Sequence, residues 1–329
     1  MRRASTVARN LTVAVQLFDM INGGIESWFL SLAKASRGID WRVWTETRNV
    51  DSRVSAELRA VASIHDRFDD AVEGVDAVLF CGATEHRFSG RSIAVSHGAG
   101  AWTRGQMELL SWCGEYVAVS RQASRVCQRE ATVIENGVDL ERCKPTKSRD
   151  EIRKTWGLAD SDIAVGHVGR FSAEKRLDII ADAVKLYGPR AVAVFVGDHG
   201  TKEQLRAYCD SRSIRAIFPG SMRNVGNAFN GFDCAAVTSG QEGFCLAAVE
   251  AIAADCPLIT TNVGIIPDIN RRFGESCTVV PCTVTPKRLA NEIDGALSAK
   301  TRTVEAGKNI RQHFSAERMA NDWANFLAN

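Results

Sequence analysis

Leu11-Thr-Val-Ala-Val-Gln-Leu-Phe18, then the helix-period residues 23–36, then Trp41-Arg-Val-Trp-Thr45 form the stretch that decides the fold. A short apolar run, an amphipathic segment and a second apolar run make one β-α-β unit, the building block of a parallel sheet with helices on both faces. Working outward, the alternation continues through apolar runs at residues 77–81, 93–96, 116–119 and 132–134. It stops at Asn136-Gly-Val-Asp139, and the polar stretch holding Pro145 and Lys147-Ser-Arg-Asp150 reads as a connector. A second series follows, with strands expected at 163–168, 191–196, 214–218, 234–237, 257–260 and 277–280. The expected fold is α/β, with two doubly wound domains in tandem. A Rossmann-like domain at 1–143 precedes a second at 144–312, and a closing helix occupies 313–329. That helix carries Met319, Trp323, Phe326 and Leu327 on one apolar face behind Ser315. Such sheets bind ligands beyond the carboxyl ends of their strands, so function is expected in loops that follow strands and line an interdomain cleft.

Composition narrows the class without naming a partner. The 329 residues are 45% hydrophobic and 24% charged, the balance of a globular protein. The 41 basic against 39 acidic residues leave +2, too little to coat nucleic acid or a membrane by charge alone. Ten cysteines never fall in a C-x-x-C pair, which excludes the common zinc and thioredoxin spacings and reads as reduced core thiols. No run of about 18 uncharged apolar residues occurs, and the opening Met1-Arg2-Arg3 leads into no leader-like apolar region. Placement in the cytoplasm is expected, with peripheral attachment to a membrane left open, as is the oligomeric state.

Four segments carry chemistry. Ser239-Gly-Gln-Glu242-Gly-Phe-Cys-Leu246-Ala-Ala-Val-Glu250 follows a strand and opens a helix, so unpaired backbone N–H groups and the helix dipole suit phosphate. Glu242 and Glu250, eight residues apart, can grip two hydroxyl-bearing parts of one ligand; the alternative is a Gly turn with two solvated acids. His167-Val-Gly169-Arg170-Phe-Ser-Ala-Glu-Lys175 also joins a strand to a helix. Its Arg can make a bidentate contact and its Lys a point contact with a diphosphate, unless both merely solvate a helix start. Asn22-Gly23-Gly24-Ile-Glu26 permits close approach of backbone to ligand, yet it is no G-x-G-x-x-G fingerprint and so speaks against nicotinamide or flavin. His97 lies just past a strand beside Gly98 and Gly100, where it is either structural or turned toward the ligand.

Together these segments resemble the retaining, nucleotide-sugar-dependent glycosyltransferases of family 4, whose GT-B architecture has two facing Rossmann-like domains. The likeness is greatest over residues 135–268. There Asn136-Gly-Val-Asp139, Gly169-Arg170 with Lys175, Gly197-Asp198, Glu242 through Glu250, and Val263-Gly264 to Pro267-Asp268 occur in the family's order. The first domain matches through Gly23-Gly24, His97 and Val117-Ala-Val-Ser120 and is short for the family.

The resemblance implies transfer of a hexosyl or pentosyl group from a nucleotide sugar to an acceptor hydroxyl. The nucleotide sugar is a substrate, so no cofactor and no essential metal are expected. Arg170 and Lys175 would stabilise the departing diphosphate, beside Gly169. Glu242 would contact the sugar, Glu250 the ribose, and the N–H groups of Phe244, Cys245 and Leu246 the sugar and phosphate. Gly23 and Gly24 would close on the diphosphate, His97 would bond the sugar, and the last helix would cross back to the first domain. The family has glycine where this chain has Cys245, Asp255 and Ile265, which puts donor identity in question. No pair of carboxylates in the arrangement of a retaining glycosidase is evident, which agrees with the front-face substitution assigned to the family.

Two other readings are open: a two-lobed sugar- or nucleotide-binding protein without catalysis, and another GT-B enzyme such as a sugar-nucleotide epimerase. The first needs neither Arg170 nor Lys175; the second lacks this Glu242–Glu250 arrangement. The acceptor is unnamed. Arg121, Arg125 and Arg129, four residues apart, would share one helix face. They are a solvated face, or they steer an anionic acceptor such as a glycan, lipid, sugar phosphate or nucleic acid.

Overall fold

The computed structural model describes residues 10–21, 23–47 and 49–329, with the side chains of 300–302 excepted. The leader-reading segment 1–9 and Asn22 of the glycine turn lie outside the described residues. The chain divides into two compact units, residues 1–137 with 316–329, and residues 138–315.

The first unit holds a seven-stranded sheet built from β1 (Leu11–Leu17), β2 (Ile39–Thr45), β3 (Ser63–Ile64), β4 (Ala77–Phe80), β5 (Ser92–Ser96), β6 (Glu115–Ala118) and β7 (Thr132–Val133). The second holds β8 (Ile163–Val168), β9 (Ala191–Val196), β10 (Ala216–Gly220), β11 (Cys234–Val237), β12 (Leu258–Thr261) and β13 (Thr278–Val280). The strand orders are β3-β2-β1-β4-β5-β6-β7 and β10-β9-β8-β11-β12-β13, and every paired neighbour is parallel. Counted from its own first strand, each sheet thus winds 3-2-1-4-5-6, the doubly wound order, and the first sheet adds a seventh strand at its edge. Central strands are buried on both faces, as the unbroken Ala191-Val-Ala-Val-Phe-Val196 requires. In the second unit the helix Leu177–Tyr187 lays Ile180, Ala181 and Val184 against Leu289, Ile293 and Ala296 of the helix Pro286–Ser298.

Several boundaries differ from the sequence reading for local reasons. The strand expected at 214–218 begins at Ala216: Ser213 is left-handed (φ 51°) and Ile214 N–H donates to Cys209 O at 2.9 Å, which closes the preceding helix. The two-residue β3, with no alternation to betray it, had no counterpart in the reading. Residues 138–143 join the second unit. The short helix Leu140–Cys143 packs there, with Arg142 Nε donating to Arg223 O at 3.0 Å and Cys143 O filling the space left by Gly226.

The arginines expected on one helix face are not on one. Ser120 caps a helix that runs only from Arg121 to Ser124, the chain turns at Arg125, and Arg129 lies beyond, its guanidinium donating to Ser111 O at 3.1 Å.

The helix Ala316–Ala328 belongs to the first unit. Met319, Trp323 and Leu327 are buried, Trp323 lies 5.8 Å from Trp28 between ring centroids, and Gly137 N–H meets the Met319 sulfur. Arg91 donates to the final-turn carbonyls of Phe326 and Leu327 at 3.0 and 2.7 Å and pairs with Glu115 at 2.8 Å, tying the helix end to β6. All ten cysteines are free thiols. No described helix is long and apolar enough to cross a membrane.

Candidate active site

In a doubly wound sheet the ligand crevice opens where the winding reverses. In the second unit that point lies between β8 and β11. The loops leaving these two strands are fastened to each other. Thr238 Oγ1 donates to the carbonyls of Lys175 and Arg176 at 2.8 and 3.0 Å, and Gly240 N–H donates to Glu174 O at 2.9 Å. Arg176, left-handed at φ 49°, donates in return to Thr238 O at 2.7 Å and to Cys282 O at 2.6 Å.

This frame sets Lys175 Nζ 2.6 Å from Glu242 Oε1, which also accepts from Ser239 Oγ at 2.6 Å. Burial works against the Lys175 ammonium, but the Glu242 carboxylate, joined by Cys245 and Glu174, holds the lysine above its usual range. Arg170 is half exposed and lies 3.7 Å from Glu174, whose carboxylate accepts a closer bond from Ser172 Oγ at 2.6 Å. So long an ion pair leaves the guanidinium able to turn to a stronger anion. Gly169 and Gly197 are an obligatory pair. Gly169 N–H donates to Val196 O at 3.0 Å, and a Cβ on Gly197 (φ 153°) would collide with the Gly169 carbonyl.

The helix Leu246–Ala253 starts at Cys245, whose backbone is left-handed at φ 77°, and no side chain caps its first N–H groups. The turn at Gly264 (φ 59°) seats on this start: Ile265 N–H donates to Phe244 O at 2.9 Å, where a Cβ on Gly264 would clash. Glu250, on the same helix, is 9% exposed, and its carboxylate makes no hydrogen bond or ion pair with any described residue. Burial raises its carboxyl above the usual range, with Arg142 opposing and Asp139 reinforcing the shift. Glu242 and Glu250 thus occupy different surroundings, one paired with a lysine and the other desolvated without a partner.

In the first unit, Gly24 opens the helix Gly24–Ala35 and faces empty space, while a Cβ on Gly23 would collide with the Glu26 carboxylate. Gly23 is extended at φ −142°, so this pair provides room rather than unusual backbone. His97 follows β5. Its imidazole packs edge-on to Trp28 at 4.5 Å, Nε2 is buried without a hydrogen-bond partner, and burial lowers its pKa to about 3. At neutral pH it is an uncharged group whose buried nitrogen lacks its bond.

The group 1 family of glycosyl transferases matches residues 148–313 of the chain. The protein belongs to that family. A lipopolysaccharide core biosynthesis mannosyltransferase, LpsB of Rhizobium meliloti, is 22% identical over 290 residues, which are 85% of this chain and 76% of the relative. A D-inositol 3-phosphate glycosyltransferase of Mycobacterium marinum is 35% identical over 157 residues, 45% of this chain and 33% of the relative. Among solved structures, Anabaena Alr3699/HepE in complex with UDP and glucose aligns with a TM-score of 0.81 at 18% identity, covering 97% of this chain and 99% of that one. WaaG, a glycosyltransferase of lipopolysaccharide biosynthesis, aligns with a TM-score of 0.70 at 16% identity, covering 96% and 99%. At these identities the likeness establishes the GT-B fold. The chain is a group 1 glycosyltransferase.

Departures from glycine in this group 1 glycosyltransferase behave unequally. Cys245 and Asp255 keep left-handed backbone, at φ 77° and 57°, the conformation a glycine would adopt freely. Asp255 is compensated by Arg311, whose guanidinium donates to Asp255 Oδ1 at 2.9 Å and Ala253 O at 2.6 Å. Ile265 is right-handed and fully buried, so neither its backbone nor its exposure sets it apart from an ordinary core residue. Sequence reasoning missed Ser239, Thr238 and Arg176, which build the frame, and Arg142 beside Glu250. The signal for the first two was the polar pair ending an apolar strand.

Proposed function

We propose that the enzyme is a retaining glycosyltransferase that moves a sugar from a nucleotide-sugar donor to an acceptor hydroxyl by front-face substitution. The observation that carries the reading is Glu250, a buried carboxylate that accepts no hydrogen bond among the described residues. Desolvating a carboxylate without a hydrogen bond is costly, and a pair of ribose hydroxyls supplies the missing donors. Gly169, Arg170 and Lys175 are assigned to the diphosphate, Glu242 and the N–H groups of Phe244, Cys245 and Leu246 to the sugar and its phosphate. Gly23 and Gly24 give the diphosphate room, and His97 bonds a sugar hydroxyl. The second unit is then the donor domain and the first the acceptor domain.

In the proposed step the bond from the anomeric carbon to the diphosphate oxygen breaks as the acceptor oxygen bonds to the same face. The acceptor proton passes to the departing phosphate. Arg170 and Lys175 meet charge that grows as the bond breaks, which is where electrostatic stabilisation accelerates a reaction. Two cations serve that role, so activity is expected to persist in EDTA. Incubation with a panel of nucleotide sugars and candidate acceptors tests the reading. Release of nucleoside diphosphate with an α-configured product from an α-configured donor is expected; an inverted product would end the front-face account.

A cytoplasmic enzyme resting on an anionic bilayer is part of the same reading. The free thiols suit a reducing compartment. Trp102 and Leu109, two turns apart on the helix Ala101–Leu109, are 70% and 63% exposed. Arg129 reaches Ser111 O just beyond, and Arg87 lies over Trp112. An exposed Trp and Leu ridge with arginines at its end matches an interface of acyl chains and anionic headgroups. Wild-type protein should sediment with phosphatidylglycerol vesicles and not with phosphatidylcholine alone. Trp102→Ser/Leu109→Ser should not sediment; equal binding by both proteins would refute the surface.

A further inference from the structure

His97, Trp28 and Trp323 come from three distant parts of the chain: the loop after β5, the helix that the Gly23–Gly24 turn opens, and the last helix. The rings are in series, with His97 to Trp28 at 4.5 Å and 65° and Trp28 to Trp323 at 5.8 Å and 58°. Both tryptophans are fully buried, and the indole N–H of each, like His97 Nε2, lacks a hydrogen bond among the described residues. An indole bonded elsewhere would have its orientation set by that bond; here packing alone sets it. Behind His97 the backbone is equally confined, because Thr103 fills the space a Cβ on Gly98 would need. Ser96 Oγ donates to Ala123 O at 3.0 Å.

We propose that Trp28 and Trp323 are positioning residues, and that the last helix controls turnover by holding His97 in its reactive orientation through this aromatic series. The proposal rests on the assignment of His97 to the transferred sugar. An imidazole with one ring edge on Trp28 can swing only if Trp28 moves, and Trp28 is held from the other side by Trp323. Interior packing transmits such displacements because it leaves no free volume to absorb them. A shift of about 1 Å in a positioned group can cost on the order of 10²-fold in rate.

Trp323→Ala and Trp323→Phe, with Trp28→Phe and His97→Ala as references, separate positioning from mere support. Trp323→Ala should lower kcat by about 10- to 100-fold while leaving the affinity for free nucleoside diphosphate unchanged. Trp323→Phe, which keeps an aromatic face, should recover most of the loss. Histidine-labelled protein adds a readout that structural support would not move: the His97 imidazole, held neutral by burial to about pH 3, should titrate closer to pH 6.5 in Trp323→Ala. A large loss of activity in His97→Ala with unchanged turnover and His97 titration in all three tryptophan variants would overturn the positioning role alone. Full activity in His97→Ala would remove the assignment beneath it. If Trp323→Ala fails to fold, Trp323→Leu decides, because it removes the aromatic face while keeping apolar volume, and a wild-type kcat and His97 titration there also overturn the proposal.

Discussion

Lys175 and Glu242, 67 residues apart in sequence, are joined Nζ to Oε1 at 2.6 Å with Ser239 Oγ on the same carboxylate oxygen. The proposed diphosphate-binding cation and the proposed sugar-binding carboxylate are one largely shielded pair before any donor arrives. Under the proposed function, donor binding would exchange this ion pair for a ligand without creating a lone charge.

Removing one member should therefore damage the fold as well as the chemistry. Lys175→Ala leaves Glu242 unpaired and is expected to cost ~3 kcal/mol in the second unit. Lys175→Met/Glu242→Gln should recover much of that stability and none of the activity. Arg170→Ala, with its side chain half exposed, should leave the thermal midpoint near wild type while lowering kcat by ~10²–10³. Thermal unfolding and steady-state kinetics on the same preparations distinguish these patterns, and near-normal kcat in Arg170→Ala would place the diphosphate elsewhere.

Glu250 gives a pH signature. Its folded-state pKa is raised, so its contribution to stability is present below the unfolded pKa and is lost as pH rises through the folded one. Glu250→Gln should stabilise the ligand-free enzyme at neutral pH, with a thermal midpoint about 2–4 °C higher per kcal/mol gained. Nucleoside diphosphate titrations should find weak binding in that variant but near-normal binding in Glu242→Gln. In the wild type, affinity should fall as Glu250 protonates on acidification. Equal affinity loss in both variants would merge the two roles.

Cys245→Gly relieves a left-handed non-glycine backbone and should stabilise by about 1 kcal/mol. Asp255→Gly relieves similar strain but loses the Arg311 bond, so little gain or a net loss is expected. Cys245 also sits against Lys175 and Glu242, so its replacement should alter the preference among donor sugars more than the preference among nucleotides. Denaturation midpoints and a donor panel check both statements.

Deleting residues 316–329 strips Trp323 and Met319 from the first unit and leaves Trp28 uncovered. The truncated protein should aggregate or lose activity although every proposed site residue remains. A monomeric, fully active truncation would contradict this.

The alternation of apolar runs and helical segments was enough for the sequence alone to determine two parallel doubly wound sheets, because strands buried on both faces must be continuously apolar. It also determined which loops hold Arg170, Lys175, Glu242 and His97 and which helix carries Glu250, since strand ends and glycine turns are local features. Which charges pair was not local. Lys175 meets Glu242 only because Thr238 and Arg176 lock two loops together across the reversal point of the sheet, and Glu250 is isolated because the helix buries it away from that pair. The false arginine stripe has the same origin: periodicity presumes a continuing helix, and the turn at Arg125 that ends it is decided by the packing of Val126 and its neighbours. Local spacing specifies elements, whereas desolvation and ion pairing depend on what tertiary packing brings within a few ångströms.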